Sequence, residues 1–252
     1  MNTIPIHGKL PCALCFTSKN QPWGEGISEN DGWRLENNPC SWGTSNPSIL
    51  ILGFSKGNNQ TNNILKSNFN DIPFKGMRNN LTNILRKLNL LKDNETIDEK
   101  ICESESDFSF GSLIRCSISK KDLSTQKFIK SGDIIKSAAT DKTGMLIINN
   151  CVNQFLKNLP PKLKIVIMLS NDDNYVEACM NTFKIVHPDI KKINDVAYAN
   201  NQVTFIHVIH PSGASGKHIP DWLNGTTGKQ AYKRELAINA VKSSNITLSN
   251  IL

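Results

Sequence analysis

Ser48-Ile-Leu-Ile-Leu-Gly53 is an unbroken apolar run closed by a glycine. A strand of this composition has no polar face, so it must be buried on both sides, as a central strand of a parallel sheet is. Leu163-Lys-Ile-Val-Ile-Met-Leu-Ser170 and Val203-Thr-Phe-Ile-His-Val-Ile209 have the same character, and Phe108 to Cys116 reads as one more strand. Helical spacing separates them. Met77, Leu81, Ile84, Leu85 and Leu88 mark one face of a helix over 76–88. Further helices are expected over 145–159, stopped by Pro160-Pro161, over 172–183, and over 228–241, the last with Lys229, Lys233 and Arg234 exposed. Strands alternating with helices predict an α/β fold, a three-layer αβα sandwich around a central, mostly parallel four-stranded sheet.

Two stretches stand apart from this alternation. Residues 1–47 have no sustained period and are expected to be irregular, ordered by something else, such as a metal. Residues 117–142, rich in Lys, Ser, Thr and Asp, read as a surface insertion. The whole of 1–252 is expected to form one domain.

Composition narrows the function classes. Hydrophobic residues make up 38% and charged residues 20% of the 252, which excludes wholesale disorder. No 18-residue apolar run is present, so no spanning helix is expected. Met1-Asn-Thr-Ile-Pro5 lacks the basic and apolar parts of a signal peptide, so a cytoplasmic protein is expected. Twenty-nine basic against 22 acidic residues give a net charge of +7, which favours a polyanionic partner, nucleic acid first. Seven cysteines without an export signal are expected to stay reduced. Cys12 and Cys15 form a C-x2-C pair suited to metal or redox work, whereas Cys102 and Cys179 read as small buried hydrophobes.

In an open α/β sheet the site lies beyond the carboxyl ends of the strands. Those ends carry Gly53-Phe54-Ser55-Lys56-Gly57, Arg115-Cys116-Ser117 and His210-Pro211-Ser212-Gly213. Proline ends the ladder after the last strand, which fixes His210 at the strand's mouth. His207, alternating with inward apolar residues, reads as structural.

The order of these motifs resembles the uracil-DNA glycosylase superfamily, in particular its iron–sulfur branch. That branch has an early C-x2-C, a G-E-x-P-G loop after the first strand and a P-F-x-G-x-x-G segment. An asparagine-bearing strand then ends in Lys-Cys, a fourth cysteine lies on the next helix, and H-P-S follows the last strand. Here the counterparts run from Cys12 and Cys15 through Gly53–Gly57, Pro73-Phe74-Lys75-Gly76, Cys116 and Cys151 to His210 and Ser212. The resemblance implies a catalytic His210 and a base stacked on Phe74. It also implies substrate contacts from Gly53, Phe54, Ser55, Ser112 and Ser212, and a 4Fe–4S cluster on Cys12, Cys15, Cys116 and Cys151. Zinc is the alternative metal for four thiolates. Cys12, Cys15, Cys40 and His7 make a rival set close in sequence, and a chain without metal is the third option.

The departures are informative. Gly53–Gly57 lacks the family's acidic residue and proline, a second carboxylate position falls on Gln60, and the base-reading asparagine falls on Ser112. Gln60 and Asp71, ahead of Asn58 and Asn59, are the candidates to orient water. Lys56 reads as a phosphate contact, with an imine to the sugar as the lesser option. Lys217, His218 and the 228–241 helix are placed to meet phosphates. A serine cannot offer the donor–acceptor pair that reads uracil, but it leaves room. The expected function is therefore a monomeric DNA glycosylase that flips out and hydrolyses off a modified pyrimidine base, in DNA repair or in defence against phages with modified DNA. The alternatives are a catalytically inactive nucleic-acid-binding relative and a plain uracil-DNA glycosylase. A small α/β hydrolase or nucleotide-binding enzyme ranks lower, since neither G-x-S-x-G nor a P-loop occurs.

Overall fold

Apolar runs without a polar face need cover on both sides, and the computed structural model supplies it. It describes residues 4–129 and 133–244, all but the side chains of Asn58, Asn59, Asp133, Lys136 and Ala214. In chain order the strands are β1 (Gly8–Lys9), β2 (Ile27–Asn30), β3 (Trp33–Glu36), β4 (Cys40–Gly43), β5 (Ile49–Gly53), β6 (Phe108–Ser112), β7 (Ser117–Lys121), β8 (Phe128–Ile129), β9 (Ile165–Leu169), β10 (Lys191–Asn194), β11 (Ala197–Ala199) and β12 (Thr204–Val208). The helices are α1 (Asn58–Asn63), α2 (Arg78–Lys87), α3 (Ile97–Lys100), α4 (Asp133–Thr140), α5 (Lys142–Phe155), α6 (Asp173–Lys184), α7 (Ile219–Asn224) and α8 (Gly228–Ser243).

The fold is α/β, built on a mixed sheet ordered β1-β4-β6-β5-β9-β12-β11-β10. Its centre, β6-β5-β9-β12, is parallel throughout, and antiparallel strands extend it at both edges. The sheet is thus eight-stranded rather than four-stranded. Short edge strands pair by hydrogen bonds alone and leave little hydrophobic signal in sequence.

Alternation along each central strand divides the core in two. Ile49, Ile51, Phe108, Phe110, Ile165, Ile167, Ile206 and Val208 face α2, α7 and α8 through Leu81, Leu85, Trp222 and Ala237. Leu50, Leu52, Val166, Met168 and Phe205 face α5 and α6 through Ile148, Val152 and Phe183. Each such fully buried side chain contributes roughly 1.5–3 kcal/mol against exposure.

A second, antiparallel sheet, β2-β3-β7-β8, corrects two expectations. Of the expected irregular stretch 1–47, residues 4–47 are not shapeless, and of the expected insertion 117–142 the described residues are not a loose insertion. Trp33 pairs with Lys120 and Leu35 with Ile118, and Trp33, Leu35 and Ile118 are buried. The Trp33 indole N–H donates to Asp141 at 2.7 Å, and Asp141 caps α5 by accepting from the Gly144 N–H at 2.9 Å. The expected strand to Cys116 instead ends at Ser112, so Ser112 stands at a carboxyl end and Arg115 and Cys116 lie in the turn into β7. Among the described residues, no helix is long and apolar enough to cross a membrane.

Candidate active site and cysteine crevice

Because β6, β5, β9 and β12 are parallel, their carboxyl ends share one rim. Gly53 is registered with Ser112, and the Ser170 N–H donates to the Val208 carbonyl at 3.0 Å. Parity puts Gly53 and Ser112 on the α2 side, where Phe74 also packs, while His210 follows β12 beyond the alternation, since Val208 and Ile209 both pack on that side. A Cβ built at Gly53 would stand 4.0 Å from Ser112 Oγ, in ordinary contact.

His210 is held by its own loop. Its Nδ1 lies 2.8 Å from Ser212 Oγ and accepts from the Ser212 backbone N–H at 3.2 Å. A backbone N–H can only donate, so Nδ1 carries no proton in the neutral ring and Nε2 bears the N–H. Burial lowers the pKa of His210 below its ordinary value, which favours that neutral form. The Asn80 side chain, from α2, donates to the Pro211 carbonyl at 2.9 Å and fastens the loop from the other side. His210 borders a cleft of about 590 Å³ whose lining includes Ser170, Asn171, Ser215 and Gln230. That volume lies within the range of small-molecule sites.

Phe74 is buried, edge-on to Phe110 at 6.0 Å, and has φ +56°. A positive φ in a bulky residue costs of order 1–3 kcal/mol. Arg78 holds the turn by donating to the carbonyls of Pro73, at 2.9 Å, and Asn70. Gln60 lies on α1 directly after the glycine loop, and Asp71 is exposed at the end of a 3-10 turn, Phe69–Asp71. The side chains of Asn58 and Asn59 lie outside the described residues.

Phe54 and Lys56, expected at the rim, turn away from it, whereas Lys229 and Lys233 line the His210 cleft but are held in ion pairs. Phe54 is buried against Tyr175 in the opposite half of the core. Lys56 is 2% exposed and donates to the Arg115 carbonyl, so it reaches neither a phosphate nor a sugar. Its pKa is lowered by burial, yet inside the protein rather than at the cleft. Lys233 is buried on Asn171 and Asp173, and Arg234 on the carbonyls of Trp222 and Gly225. Of these three helix cations only Lys229 is exposed, paired with Asp173 at 2.7 Å. His207 is structural as expected. It is fully buried, its Nδ1 2.8 Å from the Ser170 carbonyl, and desolvation lowers its pKa to about 4. Cys179 is buried, but Cys102 is half-buried.

On the other side of the sheet, Cys12, Cys15, Cys116 and Cys151 line a single narrow crevice of about 10 Å³ together with Arg115 and Phe155. Burial pushes the Cys15 and Cys116 thiols up, and Cys151 to about 12. Cys40 is not in the lining. It donates to the Asn38 carbonyl and packs in the opposite half of the core, while His7 Nδ1 accepts from the Gly43 N–H at 3.2 Å. The rival set is therefore dispersed. Among the described residues, no three His, Cys, Asp or Glu side chains stand close enough to hold one ion. By donor chemistry alone, the four thiols are of the kind that ligate iron–sulfur clusters or zinc.

Sequence reasoning missed Asn80, whose role depends on a partner 131 positions away, and Arg115, whose neighbour Cys116 was the only local signal. Comparison of the chain with family models and with curated protein sequences gives no match.

Proposed function

We propose that this chain is a DNA glycosylase that hydrolyses the N-glycosidic bond of a flipped-out, modified pyrimidine. The observation that carries the reading is the tautomer of His210, with Nδ1 occupied by the Ser212 N–H and an Nε2–H left as donor at the mouth of β12. As the glycosidic bond breaks, negative charge develops on the leaving base and positive charge on the sugar. A neutral imidazole donor stabilises that base anion without rearrangement. Water attached to C1′ completes the hydrolysis, and its proton passes to the base. Gln60 orients the water, which an amide can do when the transition state is cation-like and needs little base strength.

Ser112, registered beside Gly53, is smaller than the amide that would read uracil, and a cleft of about 590 Å³ lies beside His210, although neither Gly53 nor Ser112 is in its lining. Both support a base larger than uracil. Parallel strands between two helix-backed halves of a core support the layered sandwich of the uracil-DNA glycosylase fold. We read Cys12, Cys15, Cys116 and Cys151 as ligands of an iron–sulfur cluster. When bound, it supplies folding free energy that ties the N-terminal segment to the sheet.

A glycosylase-fold relative that binds DNA without chemistry is the second reading. It is favoured by the glycine loop, which has no carboxylate. Mass spectrometry of bases released from a panel of natural and phage DNAs tests the proposal. Release of a modified pyrimidine with an abasic site left behind supports it. DNA binding without any released base supports the second reading and overturns the first.

A further inference from the structure

Lys56 and Arg115 are 2% and 0% exposed, and both are basic. Burying one uncompensated cation is costly, and burying two adjacent ones more so. Among the described residues neither has a carboxylate partner. Their polar contacts are backbone carbonyls: Lys56 donates to the Arg115 carbonyl, and Arg115 Nη1 to the Cys40 carbonyl at 3.5 Å. The Arg115 guanidinium is specifically housed. A Cβ at Gly111 would overlap Nη1 and stand 2.7 Å from Cζ, so only glycine leaves it room. The Phe155 ring lies 5.7 Å from Cζ on a wall of the crevice. Yet Nε and Nη2 are buried without any hydrogen-bond partner. A protein that builds a seat for a guanidinium and leaves its donors unused has left out their acceptor.

We propose that Lys56 and Arg115 are a cationic seat for the four-cysteine metal centre, cancelling its net charge and fastening the Gly53–Gly57 loop to it. Four thiolates around a core of charge two plus leave two negative charges in excess. Lys56 and Arg115 supply two positive ones. Arg115 meets the centre directly, since it lines the crevice. Lys56 acts from behind it by donating to the Arg115 carbonyl, next to Cys116. Both are positioning residues. The lysine that replaces part of the expected catalytic loop thus couples that loop to the metal. The proposal rests on reading the four cysteines as a metal centre and is independent of glycosylase activity.

The test is metal retention by the full chain, purified without oxygen. Iron, sulfide and zinc are measured per chain for wild type, Lys56→Met, Arg115→Met and the surface control Lys229→Met. Loss of metal to a chelator should be about ten- to a hundred-fold faster in Lys56→Met and Arg115→Met than in the other two. If the metal is a cluster, either substitution should also lower its reduction potential, because removing a positive charge favours the more positive, oxidised core. A second measurement needs no variant. Amine acylation read by mass spectrometry should spare Lys56 in loaded protein and reach it once the metal is stripped. Unchanged retention in both variants, or equal acylation in both states, overturns the seat while leaving the metal centre standing. Wild type that neither carries nor takes up iron or zinc overturns the metal centre and the seat together, and leaves base release to be judged separately.

Discussion

The Asn80 amide donates to the Pro211 carbonyl at 2.9 Å, tying α2 to the loop that carries His210. Pro211 has no N–H, so its carbonyl is the only backbone handle there. Asn80→Ala removes one hydrogen bond, worth about 1 kcal/mol. Base release should fall about five-fold, with the KM for DNA unchanged, because the loop loses alignment rather than a contact to DNA. A rise in KM larger than the fall in kcat would show that Asn80 touches substrate.

His210→Ala removes a preorganised donor to developing charge. Such donors are worth about a hundred- to a thousand-fold in rate, and base release should drop by that factor while the fold and DNA binding persist. The check is single-turnover kinetics beside a binding titration. Wild-type rates in a folded, DNA-binding variant would remove His210 from the chemistry.

His207 links stability to pH. Its pKa falls from an ordinary 6.5 to about 4 in the folded chain, through burial. The unfolded chain therefore takes up a proton that the folded chain refuses. The stability it contributes is complete above pH 6.5 and is lost as pH falls from there toward 4, by on the order of 3 kcal/mol. Urea midpoints measured from pH 7.5 to pH 4 should decline over that window, and His207→Gln should flatten the decline. An equal decline in that variant would assign the effect to other groups.

Ser112→Asn fills the space beside Gly53 and supplies the donor–acceptor pair that reads uracil. Release of a bulky pyrimidine should fall at least about ten-fold, a loss typical of overpacking by 1–3 kcal/mol, and uracil release should rise relative to it. Competition assays with both bases in one duplex give the ratio directly. A ratio that does not move would take Ser112 out of the pocket.

The central strands were legible because their apolar residues are continuous, and burial on both faces is the only way to shelter Ile49 to Leu52 or Ile165 to Leu169. The second sheet was not. Its strands mix Arg34 and Glu36 with Trp33 and Leu35, and although β2 pairs locally with β3, β3 joins β7 across more than 80 positions, beyond any local period. The rim residues His210 and Ser212 could be read from their string, since proline fixes them locally. Lys56, Lys233 and Arg234 could not, because a cation is buried only by virtue of carbonyls that distant segments bring to it. The cysteine set was legible in Cys12 and Cys15. That Cys116 and Cys151 join them and Cys40 does not is settled by which side of the sheet each faces.

The pairing of Trp33 with Lys120 also orders events in time. During synthesis β3 emerges about 90 residues before β7, on the order of ten seconds at usual elongation rates. For that interval β2 and β3 can close on each other but not on β7. Cys12 and Cys15 wait longer still for Cys151, on a helix capped by the same Asp141 that receives the Trp33 N–H. The crevice therefore cannot close until Cys151 has been made, 136 positions after Cys15, and whatever it holds is delivered only then.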